Sequence, residues 1–329
     1  MSCFTMILGT VSNLTALGIL FNSRARFRRQ SKAPFLQLTV SLLLADLGGH
    51  LILGAFALYL HMYNINKTTE GFCYIFGASM VFFGLCPLLL GCAMAVERCV
   101  AITQPFFHVS TITAAHVKGV VLILFSLALL LAYLPFLNVG TYTIQYPNTW
   151  CFLPIHNPES AADTNVVLAF SCLGLTALIL SLLCNILSGL TLLHARIRSS
   201  KGYTKPTAGS ARRASSVSSS SLFFSLDVEM MMQLAAITVV SCVCWAPFLI
   251  HSLVIQFNAS SGDSDDLQGK FTLLTLRMAS WNQILDPWVY ILLRRTVLLR
   301  VCCGFSTLRP TVIADSSSAE TRRQVLSVQ

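Results

Sequence analysis

The sequence predicts an all-α integral membrane protein, built as a seven-transmembrane helix bundle and followed by a short amphipathic helix on the membrane surface. Hydrophobic residues make up 55% of the chain and charged residues only 11%, whereas soluble proteins carry about 25% charged residues. Apolar segments long enough to span a bilayer recur along the chain. The basic residues are also concentrated in alternate loops, as they are in multi-pass membrane proteins.

Seven predominantly apolar segments, separated by polar ones, have the length of membrane-spanning helices. The longest of them exceed what a simple span requires, so we expect their ends to tilt or to project into water. We place the segments at residues 2–22, 34–60, 72–103, 117–137, 165–194, 230–257 and 271–293.

The positions of lysine and arginine predict the orientation of the bundle. The stretches 24–32, 196–213 and 294–323, with Arg98 and Lys118, hold 19 of the 22 basic residues on one side. Positive loops face the cytoplasm, so we expect a cell-membrane protein with its N-terminus outside and its C-terminus inside. The net charge of +9 is therefore a signal of topology, and we expect no nucleic-acid partner because the basic loops lack regularly spaced aromatic residues.

The bundle domain covers residues 1–293, and two parts of the cytoplasmic side are expected to be disordered. The loop at about 199–226 is rich in serine and basic residues, and the tail 304–329 follows a membrane-surface helix at 294–303. Ser215 follows two arginines and is a candidate for phosphorylation, with an unregulated linker as the alternative. Cys302 and Cys303 are candidates for palmitoylation, with unmodified thiols as the alternative.

The predicted outer side carries features of an oxidising, glycosylating environment. Asn66 and Asn258 begin glycosylation sequons in outer loops. Cys73 opens the third segment and Cys151 lies in the following outer loop, so a disulfide between them would hold that loop over the bundle mouth. The alternative is two free thiols.

Arg277 is the most informative residue, because it lies within the apolar run 271–293. A cation within a bilayer costs about 2.5–3.5 kcal/mol even on permissive scales. A cavity in which Arg277 meets an anionic ligand group is one explanation, and an arginine that reaches out to the lipid headgroups is the other.

Five sequence landmarks on these segments resemble those of the rhodopsin-like G-protein-coupled receptors. Each is weak alone, but they occur in the family's order and on the corresponding segments. They are Asn13, Leu44–Leu47 (LADL), Glu97–Cys99 (ERC), Cys244–Pro247 (CWAP) and Asp286–Tyr290 (DPWVY).

Longer motifs narrow the resemblance to the prostanoid receptors. They are Gly84–Gly91 (GLCPLLLG), Gln145–Phe152 (QYPNTWCF) and Arg277–Trp288 (RMASWNQILDPW). Asp227–Met230 (DVEM), after a serine-rich loop, is most similar to the subtype-one receptors for prostaglandin E. Receptors for prostaglandin F share much of this pattern and are the alternative.

The resemblance implies a lipid ligand with one carboxylate, held by Arg277 through two parallel hydrogen bonds. Thr149 matches a threonine that the family also uses. The usual third contact, a tyrosine on the second segment, corresponds here to His61, with Tyr59 and Tyr63 two residues away on either side. His61 either contacts the ligand, possible for an imidazole donor, or is a surface histidine at a helix end.

The remainder of the pocket should be apolar, since it must hold hydrocarbon chains. Met80, Phe83 and Leu276 are candidates by position, although a core role is the ordinary one for such residues. Ser280 lies one turn from Arg277 and is a candidate contact for a ligand oxygen.

A buried polar network should lie below the pocket. It comprises Asn13, Asp46, Asn282 and Asp286. Two buried carboxylates cannot both ionise cheaply, so they share a proton or bind a cation. Related receptors hold sodium near Asp46, but Pro87 stands here where a serine ligand is usual, and a protonated hydrogen-bonded network is the alternative.

The resemblance also implies a switch that couples the ligand to a heterotrimeric G protein. The seventh-segment motif with Asp286 and Tyr290 belongs to it, as do Glu97 and Arg98 at the cytoplasmic end of the third segment. The sixth segment moves about Pro247, and Trp245 connects the pocket to that pivot. The most similar subtype signals mainly through phospholipase C and calcium.

Other classes of membrane protein fit the sequence less well. A small-molecule transporter would show internal repeats or paired broken helices, and we find neither. A membrane enzyme would show a nucleophile with its base or a metal motif, so we expect no catalytic residues and no cofactor. An amine receptor would carry aspartate at Met80, and a retinal protein would carry lysine at Ser280.

Overall fold

A computed structural model describes most of the chain, and its helices reproduce the predicted bundle. Among the predicted features, Asn66, Asn258, Cys302, Cys303, the surface helix 294–303 and the tail 304–329 lie outside the described residues. The described residues are 3–27, 33–62, 70–147, 149–156, 158–201, 214–257 and 265–292.

Seven long helices correspond, in order, to the seven predicted segments, and one short helix is added after the third. The short helix α4 begins at Pro105, where the fixed backbone angle of proline suits the first helical position. The helices are α1 (Cys3–Phe27), α2 (Ala33–Met62), α3 (Glu70–Thr103), α4 (Pro105–Thr111), α5 (Ala114–Tyr133), α6 (Ala161–Lys201), α7 (Ala214–Phe257) and α8 (Asp265–Leu292).

Length and composition distinguish α8 from the other long helices. Within the described residues, six helices are long and apolar enough to cross a membrane, namely α1, α2, α3, α5, α6 and α7. At 28 residues α8 has the length, but Arg277, Asn282, Gln283 and Asp286 lower its hydropathy. Polar residues in a spanning helix face the bundle interior and mark functional pathways, so α8 is where a site is expected.

The long helices form a closed ring in which α3 connects α2 to α6. Helix α3 packs against α2, α5 and α6, while α7 lies between α6 and α8. Helix α1 contacts both α2 and α8 and so closes the ring. Prolines lie inside α3 (Pro87), α7 (Pro247) and α8 (Pro287), where neighbouring helices can satisfy the backbone groups that proline frees.

A small β-hairpin covers one end of the bundle. The all-α prediction did not include this hairpin. Strands β1 (Thr143–Gln145) and β2 (Trp150–Phe152) pair antiparallel, with Ile144 opposite Cys151. Each strand has only three residues, too few for an alternation of polar and apolar residues to be visible in the sequence.

The structure shows helix at both ends of the loop 199–226, which was expected to be disordered. Helix α6 continues to Lys201 and α7 begins at Ala214, while residues 202–213 lie outside the described part. No proline or glycine occurs between Ala214 and Pro247, so nothing in the backbone ends the helix there. Both helices thus extend into the predicted loop, and disorder of the remaining residues stays a prediction.

Candidate functional site

A cleft of about 820 Å³, including its open mouth, opens between the helices beside the hairpin. Ligand sites are mostly apolar with a few polar groups, and this lining has that composition. Helices α2, α3, α7 and α8 and the turn before β2 supply its walls. The lining residues are Leu53, Ala57, Phe76, Met80, Gly84, Thr149, Trp150, Trp245, Leu273, Leu276, Arg277, Ala279, Ser280 and Gln283.

Among the described residues, Arg277 is the one charged residue on this wall. It is exposed, and none of the described aspartate or glutamate side chains forms an ion pair with it. A guanidinium carries five donors in a planar fork that matches the two oxygens of a carboxylate. The arrangement is therefore suited to an elongated apolar ligand with an acidic end.

Helical spacing explains which other side chains reach the cleft. Leu273, Leu276 and Ser280 share one face of α8 with Arg277, since residues three and four apart on a helix lie on one side. Phe76, Met80 and Gly84 in α3 repeat the same spacing. Leu273, Phe76 and Gly84 were missed by sequence reasoning, although counting turns from Arg277 and Met80 would have found them.

Trp245 forms the floor of the cleft. Its side chain is buried and packs edge-on against Phe248, with ring centroids 6.2 Å apart. Gly84 of α3 faces it so closely that a Cβ there would stand 3.0 Å from Trp245 Cη2. Pro247 lies inside α7 two residues later. Trp245 thus lines the cleft and lies close to Pro247 in the chain, and its coupling role stays a prediction.

The hairpin is held over the cleft by a covalent bond and by buried hydrogen bonds. The predicted disulfide is present, and it joins Cys73 of α3 to Cys151 of β2 with their Cα atoms 5.4 Å apart. The Tyr142 hydroxyl donates to the Ala132 carbonyl at 2.8 Å, and burial raises the pKa of Tyr142. Thr149, in the turn before β2, is thereby placed at the cleft, and its contact with a ligand stays a prediction.

Two of the predicted contact residues do not line the cleft, and a third uses its hydroxyl proton within its own helix. The Tyr59 side chain does not line the cleft; its ring packs against Phe72, with centroids 4.9 Å apart. Phe83 is also absent from the lining, and its carbonyl accepts a hydrogen bond from Gln283 Nε2 at 3.0 Å. The Ser280 hydroxyl donates to the Arg277 carbonyl at 2.7 Å, so its proton is used within the helix.

Side chains at three further predicted positions lie outside the described part of the molecule. His61, Ser215 and Tyr290 each belong to a described helix, but the structure does not describe their side chains. Their predicted roles in ligand contact, phosphorylation and activation therefore stay predictions.

The predicted buried polar network lies deeper in the bundle. Asn13 Nδ2 donates to the Gln283 carbonyl at 3.1 Å and so ties α1 to α8. Asn282 Nδ2 donates to Asp286 Oδ2 at 3.0 Å. Asp46, with 0% exposure, lies close enough to Asp286 for the two carboxyl groups to interact electrostatically. Sodium and a shared proton both stay predictions for this network.

A buried ionic cluster lies near the C-terminal end of α3, the end opposite to the disulfide. Arg98 donates through Nε and Nη2 to the two carboxylate oxygens of Glu97, each at 2.5 Å, and its guanidinium lies 5.0 Å from the Phe35 ring centroid. His108 of α4 adds a third contact, with Nε2 at 2.8 Å from Glu97 Oε1. Sequence reasoning missed His108, because a single histidine in a connecting segment carries no local signal.

Comparison with known proteins gives relatives over nearly the whole chain. Residues 17–290 match the family described as 7 transmembrane receptor (rhodopsin family). The prostaglandin E2 receptor EP1 subtype of Mus musculus is 42% identical over 326 residues, which cover 90% of this chain and 79% of the relative. The prostaglandin F2-alpha receptor of Rattus norvegicus is 40% identical over 352 residues, which cover 99% of this chain and 90% of the relative.

A solved structure supports the fold. The crystal structure of squid rhodopsin superposes with a TM-score of 0.74 at 13% sequence identity, covering 99% of this chain and 89% of that chain. At that identity the likeness concerns the fold alone. The predicted seven-helix bundle is confirmed, as is the expectation that the protein is not an enzyme.

Proposed function

We propose that this chain, which belongs to the rhodopsin-like seven-transmembrane receptors and within them to the prostanoid receptor family, is a receptor for prostaglandin E. The ligand carboxylate binds Arg277, and the hydrocarbon chains occupy the apolar part of the cleft. The receptor then activates a heterotrimeric G protein of the class that stimulates phospholipase C and raises intracellular calcium.

One observation carries the binding part of this proposal, namely Arg277 on the wall of an otherwise uncharged cleft. A charge that is paired within the protein offers little to a ligand, because binding would first have to break the existing pair. Arg277 has no such pair among the described residues. A carboxylate that reaches it from an apolar chain satisfies both charges in a poorly hydrated site.

Prostaglandin F is the second candidate ligand, and the relatives support it almost equally. The human prostaglandin E2 receptor EP1 subtype is 43% identical to this chain and the human prostaglandin F2-alpha receptor is 42% identical. The sequence Asp227–Met230 before the membrane-embedded part of α7 favours the E-type receptor. Both ligands carry the same carboxylate, so Arg277 has the same role in either case.

The G-protein part of the proposal is supported by an exposed apolar surface on α4. Phe106 is 91% exposed and Val109 is 70% exposed, beside the buried cluster of Glu97, Arg98 and His108. Exposed apolar patches mark contact sites for a protein or for the membrane, and we propose that this one contacts the G protein. The predicted orientation puts this surface in the cytoplasm and the disulfide-linked hairpin outside.

Calcium mobilisation in cells that lack endogenous prostanoid receptors tests the proposal. Cells that express the chain receive prostaglandin E, prostaglandin F and the methyl ester of each, with cyclic AMP measured in parallel and surface expression checked by an epitope tag. We expect prostaglandin E to be the most potent ligand and its ester to be at least about tenfold weaker, a loss of about 1.4 kcal/mol.

Each other outcome has a definite meaning. Greater potency of prostaglandin F would identify it as the ligand and leave the role of Arg277 unchanged. A cyclic AMP response without a calcium response would show that the receptor couples to a different class of G protein. Esters as potent as the acids would contradict the role of Arg277.

A further inference from the structure

A second polar cluster lies at the outer ends of α7 and α8, above the cleft. His156 Nε2, from the segment after β2, lies 3.0 Å from Thr272 Oγ1 of α8. His251 Nε2, from α7, lies 2.9 Å from the same oxygen. The two imidazole centroids are 6.4 Å apart. Residues from three separate elements therefore meet at one point.

The hydrogen bonds of this cluster converge on one hydroxyl group. Thr272 Oγ1 also lies 2.9 Å from the Gln268 carbonyl, which can only accept, so the single hydroxyl proton is donated there. The two lone pairs of Oγ1 then accept from the Nε2–H groups of His156 and His251. Both imidazoles therefore direct Nε2 at one buried oxygen.

We propose that His156 and His251 form a binding site for a divalent transition-metal ion, with zinc as the representative ion. Imidazole nitrogen is the commonest protein ligand for such ions. A zinc–nitrogen bond is about 2.0–2.1 Å long, so each ring has to approach the present position of Oγ1 by only about 1 Å. The ion binds Nε2 of each neutral imidazole, whose one remaining proton then resides on Nδ1, and the Thr272 hydroxyl turns aside.

The site is modest in strength and specific in position. The described residues contain no group of three or more histidine, cysteine, aspartate or glutamate side chains suited to a metal. Two histidines, with water completing the coordination, bind more weakly than the four-ligand sites that hold structural zinc. Such a site responds to changes in the external zinc concentration, as a regulatory site does, and does not depend on permanent occupancy.

Its position implies an effect on ligand exchange. Thr272 lies five residues before Arg277, or about 7.5 Å along α8, so the metal would bind just above the proposed ligand pocket. Gln256 Nε2 of α7 already donates to the Ile155 carbonyl at 2.9 Å. A metal between His156 and His251 would add a stronger link at the same place and hold the segment after β2 against α7, which slows both entry and release of a ligand.

Thermal unfolding of the purified, ligand-free receptor tests the proposal without reference to its ligand. Zinc chloride should raise Tm in a saturable manner, because an ion that binds only the folded state stabilises it, and magnesium chloride should not. The variants His156→Gln and His251→Gln keep an N–H donor for Thr272 but bind zinc poorly, and each should lose the zinc response. Thr272→Val keeps both histidines and should retain it.

A second measurement does not depend on the folding of any variant. Zinc binding to the wild-type receptor, measured by equilibrium dialysis, should weaken between neutral and mildly acidic pH, because protons compete for the imidazole nitrogens. The proposal is overturned if the wild-type Tm does not respond to micromolar zinc, or if the response persists in both histidine variants. Loss of the response in Thr272→Val alone would also overturn the two-histidine site.

Discussion

Two arginines, Arg98 and Arg277, show how the same side chain is used in opposite ways at the two ends of the bundle. Arg98 is 5% exposed and makes a bidentate contact with Glu97, while His108 contacts the same carboxylate. Arg277 is exposed on the wall of a cleft, with no ion pair among the described residues. The protein satisfies the first charge internally and leaves the second available to a ligand.

The difference predicts that Arg98 contributes to the stability of the fold and that Arg277 contributes to ligand affinity. Removing one partner of a buried ion pair leaves the other charge uncompensated and destabilises the fold. Removing a charge that has no internal partner changes the fold little but changes the binding of an external anion. Variants of the two sites should therefore separate stability from affinity.

The largest expected effect is on stability, from Glu97→Ala. Because this variant leaves the buried Arg98 guanidinium without its carboxylate, we expect the free energy of unfolding to fall by about 3–5 kcal/mol. The matched variant Arg277→Gln should change it by less than about 0.5 kcal/mol in the ligand-free receptor. Tm of both purified proteins in detergent measures the difference, and equal decreases would mean that Arg277 has an internal partner after all.

A smaller loss of stability is expected from His108→Phe. A hydrogen bond to a charged group contributes about 1.5–3 kcal/mol, so the variant should unfold at a lower temperature than the wild type. His116→Phe is the control, since His116 is exposed and bonds only to Thr113 within its own helix turn. If the two variants had the same Tm, His108 would not contribute to the Glu97–Arg98 cluster.

Arg277→Lys should affect affinity rather than stability. Lysine keeps the charge but loses the planar fork that binds both carboxylate oxygens, so we expect the Kd of prostaglandin E to rise about tenfold, or about 1.4 kcal/mol. Competition binding on membranes gives this value. An unchanged Kd would show that charge alone is sufficient and that the bidentate geometry does not matter.

The smallest effect is expected from Ser280→Ala. Its hydroxyl proton is donated to the Arg277 carbonyl, so the ligand gains little from it and Kd should rise less than about threefold, within about 0.7 kcal/mol. Ser252→Ala is the control, because Ser252 is buried, donates to the Phe248 carbonyl and does not line the cleft. A loss of tenfold or more at Ser280 alone would identify a direct polar contact with the ligand.

Local patterns in the sequence predicted the parts of the molecule that depend on local physics. The apolar segments follow from the cost of polar backbone and side chains in lipid, and all seven appear as α1–α3 and α5–α8. Arg277 was recognisable because a cation in an apolar segment is costly and therefore has a purpose. Cys73 and Cys151 were recognisable because both occur on the side predicted to be oxidising.

Contacts that form only when the helices pack could not be predicted from local sequence patterns. His108 meets Glu97, and His156 meets His251, only after the helices have packed, and a single histidine has no periodicity to reveal its partner. The hairpin over the cleft was missed because its strands are shorter than the pattern that identifies a strand. The missed contacts depend on packing between elements or on strands too short to show a pattern.

The most direct test of the availability of Arg277 is a double-mutant cycle between the receptor and its ligand. Kd is measured for prostaglandin E and its methyl ester on the wild type and on Arg277→Gln, with expression verified. We predict that esterification costs at least about tenfold, or about 1.4 kcal/mol, on the wild type and less than about threefold on the variant, because the carboxylate then has no partner to lose. Equal losses on both receptors would mean that the carboxylate binds elsewhere and would contradict the central role of Arg277.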